Sequence, residues 1–405
     1  MKKIIFDCDN TMGINGRPMD DALALLYLLG RSEDAEVFGI CCNAGNGTAA
    51  EVYACCRHLL DESGWTHIPL YRGCEGDDPV NSESARFIAE AAEAHCGEIC
   101  YLGLGSLTNL YGAFLLDAHI FDKLSQIVLM GGITDPLFIH NQPLAELNFS
   151  VDPVASACVL SRGRNVSVIT GNNCLPVSYL PKDEFMSRMC LMDNPAGMYI
   201  AQKCGYRFED KKVIYGADGS YCWDAVAAVY LLHPELFDPH PTRCRISEES
   251  LQTGFLDPSP QGSVVLELPR ARDPLSFRQE QYCGWLALRM DKAAFSCKGM
   301  FLDKLLQPAI LLTLAKGPCH GFRLLQLLKD DGLIDGDLDP AGLYRTLKRM
   351  EADGYLSSHE DTPGTRARRI FSLTDLGRYS LKSWESSLRK YQNHICQLLT
   401  AMENL

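Results

Sequence analysis

Short apolar runs and helical stretches alternate along the chain from Lys2 to about Leu268, and this alternation constrains the fold more than any other feature. Strands that alternate with helices pair in parallel, so the sequence predicts an α/β fold with a mostly parallel sheet flanked by helices. Candidate strands are Lys3–Cys8, Glu36–Cys42, Ile99–Leu104, Ser125–Met130, Val166–Thr170 and Ser263–Leu268. Candidate helices are Asp20–Leu29, Ala49–Leu60, Leu107–Leu116, Pro153–Ser161 and Asp224–His233.

The C-terminal part of the chain differs from the rest in charge and in pattern. Residues 301–405 carry 14 Lys and Arg residues against 13 Asp and Glu, a balance of +1, so residues 1–300 carry −14 of the total net charge of −13. A chain of 405 residues is also long for one ordinary domain. We therefore expect two domains, residues 1–295 and 296–405, joined near Asp291–Met300.

The 18 cysteines raise the question of disulfides or a zinc site. None forms a C-x-x-C pair, and the adjacent pairs Cys41–Cys42 and Cys55–Cys56 suit neither zinc nor an easy disulfide, so reduced buried thiols are expected. The longest apolar runs are too short to span a bilayer, and the residues before Asp7 do not form a secretory signal. The sequence thus predicts a cytoplasmic protein without membrane contact.

Four aspartates lie where the first strand ends and the next helix begins. Asp7 and Asp9 end the strand, whereas Asp20 and Asp21 open the helix. Ligands of α/β folds bind at the carboxyl ends of the strands, so these carboxylates are expected to converge. They would repel one another unless a cation neutralised them, and hard oxygen ligands select Ca²⁺ or Mg²⁺. Either helix-start aspartate taken alone has an alternative interpretation as a helix N-cap.

Further motifs follow in order along the chain: Gly105–Leu110 (G-S-L-T-N-L), Ile127–Gly132 (I-V-L-M-G-G), Ala145–Asn148 (A-E-L-N), Val151–Pro153 (V-D-P) and Asp224–Phe237. Together with the opening aspartates they resemble the inosine–uridine-preferring nucleoside hydrolase family, which begins with Asp-x-Asp-Pro-Gly-x-Asp-Asp. The resemblance extends from residue 3 to about 237. It implies calcium-dependent hydrolysis of the N-glycosidic bond of ribonucleosides to base and ribose.

The resemblance also implies a role for individual residues. The expected calcium ligands are Asp9, Asp21, Asp224 and the backbone carbonyl of Thr108. Asp9 is expected to take a proton from a calcium-bound water that attacks C1′ of the ribose. The residues expected to bind the ribose are Asp20, Asn46, Glu146 and Asn148, with Met130 beneath the sugar.

The sequence departs from the family at two places near this site. Ten residues, Asn10–Met19, separate Asp9 from Asp20 where the family has three, and this insert is expected to loop outward. Trp223 stands where many members have a His that protonates the leaving base. The purine-specific branch also has Trp there, and stacking in a dry pocket makes a purine more basic. We therefore predict a purine preference, with a buried structural Trp as the alternative.

The segment Ile133–Pro143 is out of step with the family pattern. His140 and Asn141 are candidates for substrate contact there, and we include Asn141 among the predicted substrate-binding residues. His140 is the only nearby His that could replace the lost acid. Ligand binding without turnover therefore stays open.

The C-terminal part shows the pattern of a helix-turn-helix module. Leu302–Ala315 and His320–Lys329 have helical periodicity, and Asp339–Pro340 predicts the start of a helix that ends at Gly354. On this third helix the inward residues are expected to be Leu343, Leu347 and Met350. The outward residues are Arg345, Lys348 and Arg349, and a basic helix face of this kind enters the major groove of DNA.

Tyr355–Glu360 and Thr362–Leu373 are predicted to form a two-stranded wing that carries arginines toward the phosphates. Together with Gln307–Leu312, Gly317–Gly321, Gly342–Glu351 and Leu373–Gly377, this arrangement resembles the PadR-family transcriptional regulators. The predicted DNA-binding residues are Tyr344, Arg345, Lys348, Arg349, Arg366, Arg368 and Arg369. Double-stranded DNA is therefore an expected partner.

A heptad-like seam near the C-terminus predicts a homodimer or a higher homo-oligomer. Its residues are Leu381, Trp384, Leu388, Tyr391, Ile395, Leu398 and Met402.

Three hypotheses follow for the function of the whole chain. It is a bifunctional enzyme and DNA-binding regulator, or a one-component regulator that senses a nucleoside or ribose without turnover, or a hydrolase whose DNA-binding domain is vestigial.

Overall fold

A computed structural model describes residues 1–14, 16–74, 78–190, 194–215, 218–290, 301–333, 340–360, 369–385 and 388–389. The chain forms two compact units. The first comprises Met1–Lys182 and Arg207–Ala294, and the second comprises Asp183–Tyr206 and Phe295–Leu405. The second unit thus contains a helical segment from the middle of the chain as well as the C-terminal part.

The strands of the first unit include every strand predicted from the sequence. They are β1 (Lys2–Cys8), β2 (Ala35–Cys42), β3 (Leu70–Arg72), β4 (Ile99–Gly103), β5 (Gln126–Met130), β6 (Leu137–Ile139), β7 (Gln142–Leu144), β8 (Val166–Ile169), β9 (Tyr179–Pro181), β10 (Gly219–Tyr221), β11 (Phe237–Asp238), β12 (Pro241–Cys244), β13 (Val264–Glu267) and β14 (Arg270–Ala271).

The helices of the first unit flank its sheet. They are α1 (Asp20–Gly30), α2 (Ala49–Ser63), α3 (Glu83–Ala94), α4 (Thr108–Leu116), α5 (Ile120–Lys123), α6 (Pro153–Arg162), α7 (Gly171–Ser178), α10 (Asp224–Leu232), α11 (Glu248–Leu251) and α12 (Pro274–Ala287). Two further helices cross the division between the units: α8 (Lys182–Met189) lies in the second unit after its first residue, and α9 (Pro195–Tyr215) begins in the second unit and ends in the first.

The central sheet of the first unit has eight strands in the order β12-β13-β8-β5-β4-β1-β2-β3. Its neighbouring strands are parallel except at one edge, where β12 runs antiparallel to β13. Chain order reverses at β1, because β2 lies on one side of it and β4 on the other. Such a reversal opens a crevice at the carboxyl ends of the strands. This architecture confirms the predicted mostly parallel α/β fold.

Buried apolar side chains explain why β1 is an interior strand of the sheet. Ile4, Ile5 and Phe6 are at most 1% exposed, so both faces of the strand are covered, as expected for a parallel sheet packed between helices. The apolar run therefore ends inside the molecule, and it delivers the polar residues that follow to a buried place.

The C-terminal part of the second unit forms a winged helix-turn-helix. Its elements are α13 (Phe301–Ala315), β15 (Cys319–His320), α14 (Gly321–Asp330), α15 (Pro340–Ala352), β16 (Leu356–Glu360) and β17 (Arg369–Leu373), followed by helical residues 375–385. The three strands form an antiparallel sheet in the order β15-β17-β16. Leu343, Leu347 and Met350 of α15 are at most 1% exposed, which confirms the inward stripe predicted from their spacing.

Within the described residues, no helix combines the length and the apolar character that crossing a membrane requires.

Four residues of the predicted heptad seam lie outside the described residues, namely Tyr391, Ile395, Leu398 and Met402. Leu381 and Trp384 are half-buried and Leu388 is exposed, so the seam and the dimer it predicts stay predictions.

Candidate active site and nucleic-acid interface

Three aspartates meet at the switch point of the sheet. Carboxylate oxygens of Asp20, Asp21 and Asp224 all lie within 4.8 Å of one another, and all three residues are buried. Asp20 and Asp21 begin α1, and Asp224 begins α10, which packs against α1. Two helix N-termini therefore converge on the cluster, and their dipoles partly offset its negative charge.

Asp9, which follows β1, is bonded to this cluster through its backbone. Its backbone N–H donates to Asp21 Oδ1 at 3.1 Å, and its side chain is buried. Burial, together with the charge of Asp20, raises the pKa of Asp9 to about 6 against the lowering effect of hydrogen bonds from Asn46. The pKa values of Asp21 and Asp224 are raised by burial first and by neighbouring carboxylates second. The cluster is therefore short of positive charge.

One oxygen of the cluster has no partner among the described residues. Asp21 Oδ2 is buried and accepts no hydrogen bond there. A buried carboxylate oxygen without a partner is costly unless a cation takes its lone pairs. Several carboxylate oxygens at one point are the ligand set that Ca²⁺ or Mg²⁺ prefers, so the residues present fit a hard divalent ion.

The loop after β2 holds Asp9 in place. Asn46 donates its backbone N–H to Asp9 Oδ2 at 2.7 Å and its side-chain amide to Asp9 Oδ1 at 2.8 Å. Gly45 is required there, because a Cβ at this position would lie 2.1 Å from Asp9 Oδ2. Both oxygens of Asp9 are thus oriented by one neighbouring residue. Asn46 was expected to bind ribose, and besides lining the cleft it also positions Asp9.

Asp7 lies two residues before Asp9, and its carboxylate accepts hydrogen bonds from three other parts of the chain. Its Oδ1 accepts from Asn43 Nδ2 at 2.6 Å and Asn109 Nδ2 at 3.1 Å, and its Oδ2 accepts from Tyr101 Oη at 2.7 Å. Burial raises the pKa of Asp7 to about 7, although all three bonds lower it. Asp7 therefore ties β4, α4 and the loop after β2 to β1.

A cleft beside the acidic cluster brings together all the predicted ribose-binding residues. Glu146 accepts backbone N–H groups of Gly132 at 3.1 Å, Phe149 at 2.8 Å and Ser150 at 3.0 Å. Asn148 donates to the carbonyl oxygens of Leu104 and Met130, each at 3.0 Å. These bonds fix both polar side chains. The cleft is lined by Asp20, Asn46, Met130, Glu146, Asn148, Trp223 and Asp224, among others.

Two stacked aromatic rings form one wall of the cleft. The rings of Tyr221 and Trp223 lie 5.6 Å apart with an interplanar angle of 21°. Trp223 is half-buried, and its backbone N–H donates to Asp20 Oδ2 at 3.3 Å. Tyr221 was not predicted from the sequence. Its spacing of two from Trp223 was the available signal, since residues two apart in extended chain face the same side.

The insert between Asp9 and Asp20 contributes to the cleft, so the expectation that it loops outward is wrong for its two ends. Thr11 and Met12 are buried near its start, and Met19 is buried at its end. Pro18 and Met19 line the cleft. Arg207 of α9 also lines the cleft, and its Nη1 donates to Gly16 O at 3.0 Å. Arg207 was not predicted from the sequence, because no motif surrounds it.

Two predicted site residues lie apart from these contacts. Asn141 is exposed at the tip of the β6–β7 hairpin with a φ of 65°, and it is not among the described residues that line the cleft. The Thr108 hydroxyl donates to Asp152 Oδ2 at 2.8 Å at the start of α4. The roles of the Asn141 side chain and the Thr108 carbonyl stay predictions.

The outward face of α15 is basic, as predicted. Arg345, Lys348 and Arg349 are exposed, and Tyr344 beside them is 44% exposed. Arg369 opens β17, and its guanidinium donates to Glu351 Oε2 at 3.4 Å. Arg366 and Arg368 lie outside the described residues, so their role in the wing stays a prediction.

These features define an α/β protein with an acidic centre at the switch point of its sheet, joined to a winged helix-turn-helix. The model of the inosine-uridine preferring nucleoside hydrolase family matches residues 4–264, and the chain belongs to this family. The model of the transcriptional regulator PadR-like family matches residues 310–383. Both resemblances noted in the sequence are thus confirmed, including their order along the chain.

Curated relatives match the hydrolase part. A probable uridine nucleosidase 2 of Oryza sativa subsp. japonica is 26% identical over 270 residues, which cover 58% of this chain and 75% of the relative. A pyrimidine-specific ribonucleoside hydrolase of Escherichia coli O1:K1 / APEC is 24% identical over 261 residues, which cover 58% of this chain and 79% of the relative. The solved structure of a purine-preferring ribonucleoside hydrolase from Gardnerella vaginalis has the same fold, with a TM-score of 0.61, 21% identity and coverage of 71% of this chain and 99% of that one.

Proposed function

We propose that the first unit hydrolyses the N-glycosidic bond of ribonucleosides with the help of calcium. The observation that carries this proposal is the buried carboxylate cluster beside the cleft, in which Asp21 Oδ2 has no partner among the described residues. Calcium would be held by Asp9, Asp21, Asp224 and the Thr108 carbonyl. When bound, it supplies positive charge that neutralises the carboxylates and makes water at the site more acidic.

Asp9 serves as the general base in this proposal. Burial raises the pKa of Asp9 to about 6 in the site without an ion, and bound calcium would lower it again, so Asp9 is ionised at neutral pH and able to accept a proton from water. The water oxygen attacks C1′ of the ribose while the bond from C1′ to the base nitrogen breaks. The electron pair of that bond leaves with the base, which takes up a proton from the solvent, and Asp9 afterwards returns its proton to the solvent. Asn46 keeps both Asp9 oxygens oriented for the transfer.

Glu146 and Asn148 would hold the ribose. Three backbone N–H groups fix the Glu146 carboxylate, and two carbonyl groups fix the Asn148 amide, so neither side chain needs to be ordered on binding. Preorganised groups of this kind favour a developing positive charge on the sugar without reorganisation at the moment of reaction. Asp20, at the edge of the acidic cluster, completes the polar lining.

The base preference follows from the aromatic wall. Trp223 and Tyr221 offer two stacked rings, and a purine covers more of such a wall than a pyrimidine does. We therefore propose that inosine and guanosine are better substrates than uridine. Activity on uridine above that on inosine would contradict this preference. That opposite result is the one favoured by the names of the two curated relatives, a uridine nucleosidase and a pyrimidine-specific ribonucleoside hydrolase.

The test of the hydrolase is release of base from inosine with calcium, repeated with a chelator present. We expect release that chelation abolishes and added calcium restores. Asp122→Asn is a suitable control variant, because Asp122 is exposed and pairs with Arg164 away from the cleft. Absence of base release from every nucleoside tested, despite calcium, would refute the enzymatic proposal.

We further propose that the C-terminal module binds double-stranded DNA through the basic face of α15 and the wing. Arg366→Ala and Arg369→Ala should lower affinity uniformly across DNA sequences, since phosphates are their expected partners. Unchanged binding would refute the wing assignment. The chain is expected to bind as a homodimer, which light scattering of the full-length protein would test.

One observation favours a second candidate function, a regulator that senses a nucleoside. Residues Asp183–Tyr206 lie within the segment that matches the hydrolase family, yet they belong to the unit that contains the winged helix. In that unit Tyr379 Oη donates to Asp183 Oδ1 at 2.8 Å, and Tyr355 Oη donates to Gln202 Oε1 at 3.5 Å. Helix α9 then continues into Arg207, which lines the cleft.

A ligand that favours one position of α9 would therefore bias the unit that carries the winged helix. The test measures the affinity of the full-length protein for a DNA duplex selected from a random library, with and without inosine in calcium. A change in DNA affinity while inosine is bound but not cleaved would support the sensor. Tyr379→Phe, which removes the bond to Asp183, should reduce the change without altering DNA binding in the absence of inosine.

A further inference from the structure

The insert Asn10–Met19 connects two parts of the acidic centre, because Asp9 precedes it and Asp20 follows it. Its described residues are tethered to the rest of the first unit at several points. Within the insert, the Thr11 hydroxyl donates to Pro18 O at 3.0 Å, and this bond joins its two ends. Arg17 donates to Asn46 O, on the residue that orients Asp9.

Arg207 provides the tether that comes from a distant part of the chain. It donates to Gly16 O at 3.0 Å across a separation of 191 residues, and it is only 7% exposed. Burying a guanidinium costs free energy unless its N–H groups have acceptors, so this contact with Gly16 holds both partners in place. Among the described residues that line the cleft, Arg207 is the single cationic side chain.

We propose that Arg207 is a positioning residue for nucleoside binding. It acts by holding the insert in place as a wall of the cleft. This inference rests on the proposed nucleoside hydrolase function. Pro18 and Met19 line the cleft two and three residues after the tethered carbonyl, and Asp20 follows directly. Loss of the tether would let this wall move away from the nucleoside.

The acidic centre has its own supports, and these separate the effect on binding from the effect on chemistry. Asp9 is held by Asn46 and bonds to Asp21, and Asp224 is held at the start of α10. Removal of the Arg207 tether should therefore raise KM while it leaves kcat within about twofold of the wild-type value.

The test compares Arg207→Met and Arg207→Lys with the wild type in steady-state hydrolysis of inosine. Arg207→Met keeps the apolar stem but loses the donors, and it should raise KM about tenfold, as expected for loss of a charged hydrogen bond. Arg207→Lys keeps a charge and a donor, and it should raise KM only about threefold. Arg243→Met is the matched control, because Arg243 also donates Nη1 to a glycine carbonyl, at 3.4 Å to Gly262, outside the cleft lining.

A second readout is hydrogen exchange of a peptide that covers residues 10–19. Exchange should be faster in Arg207→Met than in the wild type and unchanged in Arg243→Met. If wild-type protein cleaves inosine while both Arg207 variants keep its KM and its exchange, or lose kcat at unchanged KM, the inference is wrong and the proposed function stands. If wild-type protein with calcium neither binds nor cleaves a nucleoside, the proposed function itself fails. Should Arg207→Met not fold, KM and exchange of Arg207→Lys decide alone.

Discussion

The acidic centre of the first unit and the basic face of α15 in the second are both clusters of like charge, but they differ in burial. Asp9, Asp21 and Asp224 are at most 4% exposed, whereas Arg345 and Lys348 are exposed. Water and salt screen exposed charges and leave each one nearly independent of its neighbours. Buried carboxylates are screened far less, so each depends on its neighbours and on a compensating cation.

The largest effect is expected when one buried carboxylate is removed. Asp224→Asn should lower kcat/KM for inosine on the order of 10²- to 10³-fold, the size of loss seen when a preorganised charge-stabilising group is removed. The reason is that Asp224 is both a proposed calcium ligand and part of the cleft lining. Steady-state kinetics at saturating calcium measures the loss, with Asp122→Asn as the control. A loss below about tenfold would place Asp224 outside the reacting centre.

Calcium should stabilise the protein more at pH 7.5 than at pH 5. Without the ion, the folded state holds carboxylates whose pKa values are raised, to about 6 for Asp9 and in the same direction for Asp21 and Asp224. The folded state therefore binds more protons than the unfolded state in this range. The free energy of unfolding of the chelated protein should then fall as pH rises from about 4 through 6.

Thermal unfolding with calcium and with chelator, at both pH values, measures this effect. Calcium at about 100 times its dissociation constant adds about 2.7 kcal/mol if it binds only the folded state. The gain should shrink at pH 5, where protons compete for the same oxygens. An equal gain at both pH values, or the same gain in Asp224→Asn, would argue that calcium binds elsewhere.

The aromatic wall should produce a smaller effect that depends on the base. Trp223→Ala should lower kcat/KM for inosine about tenfold more than for uridine, because a purine has more ring to stack. Trp223→Phe should recover part of the difference. Trp65, outside the cleft lining, supplies the control substitution Trp65→Ala. Equal losses for the two nucleosides would indicate that Trp223 supports the cleft without contacting the base.

Local pattern explains why so much of the fold could be predicted. The strand Lys3–Cys8 and the helix Asp20–Leu29 were predicted within one residue of β1 and α1, because apolar spacing along the chain decides both. The rule that ligands bind at strand ends predicted that the aspartates after the first strand, Asp20 and Asp21 among them, converge. Asp224, which is far away in sequence, was placed with them only by the resemblance to the hydrolase family, and the structure brings the three together. These predictions needed no knowledge of how distant side chains pack.

What the sequence did not predict depends on tertiary packing. Arg207 is held at the cleft by its bond to Gly16, which belongs to an insert 191 residues earlier in the chain. No residue near Arg207 in the sequence indicates that it is part of a cleft. The carbonyl groups that accept from Asn148 and the backbone N–H groups that donate to Glu146 are likewise brought into place only when the loops fold. The same holds for the membership of Asp183–Tyr206 in the second unit.

The smallest effects are expected on the exposed basic face. Arg345→Ala and Lys348→Ala should each weaken binding of a DNA duplex by about fivefold to tenfold, since each removes about 1 kcal/mol of screened charge interaction. Each should also reduce the slope of log affinity against log salt by about one if its partner is a phosphate. The double variant should show a loss close to the sum of the two, because water and salt weaken the coupling between the two exposed charges although they are neighbours on α15. Lys316→Ala is the control, since Lys316 pairs with Asp331 outside α15. A loss that far exceeds the sum, or that ignores salt, would mean that these residues behave like the buried carboxylates, and the contrast between the two clusters would fail.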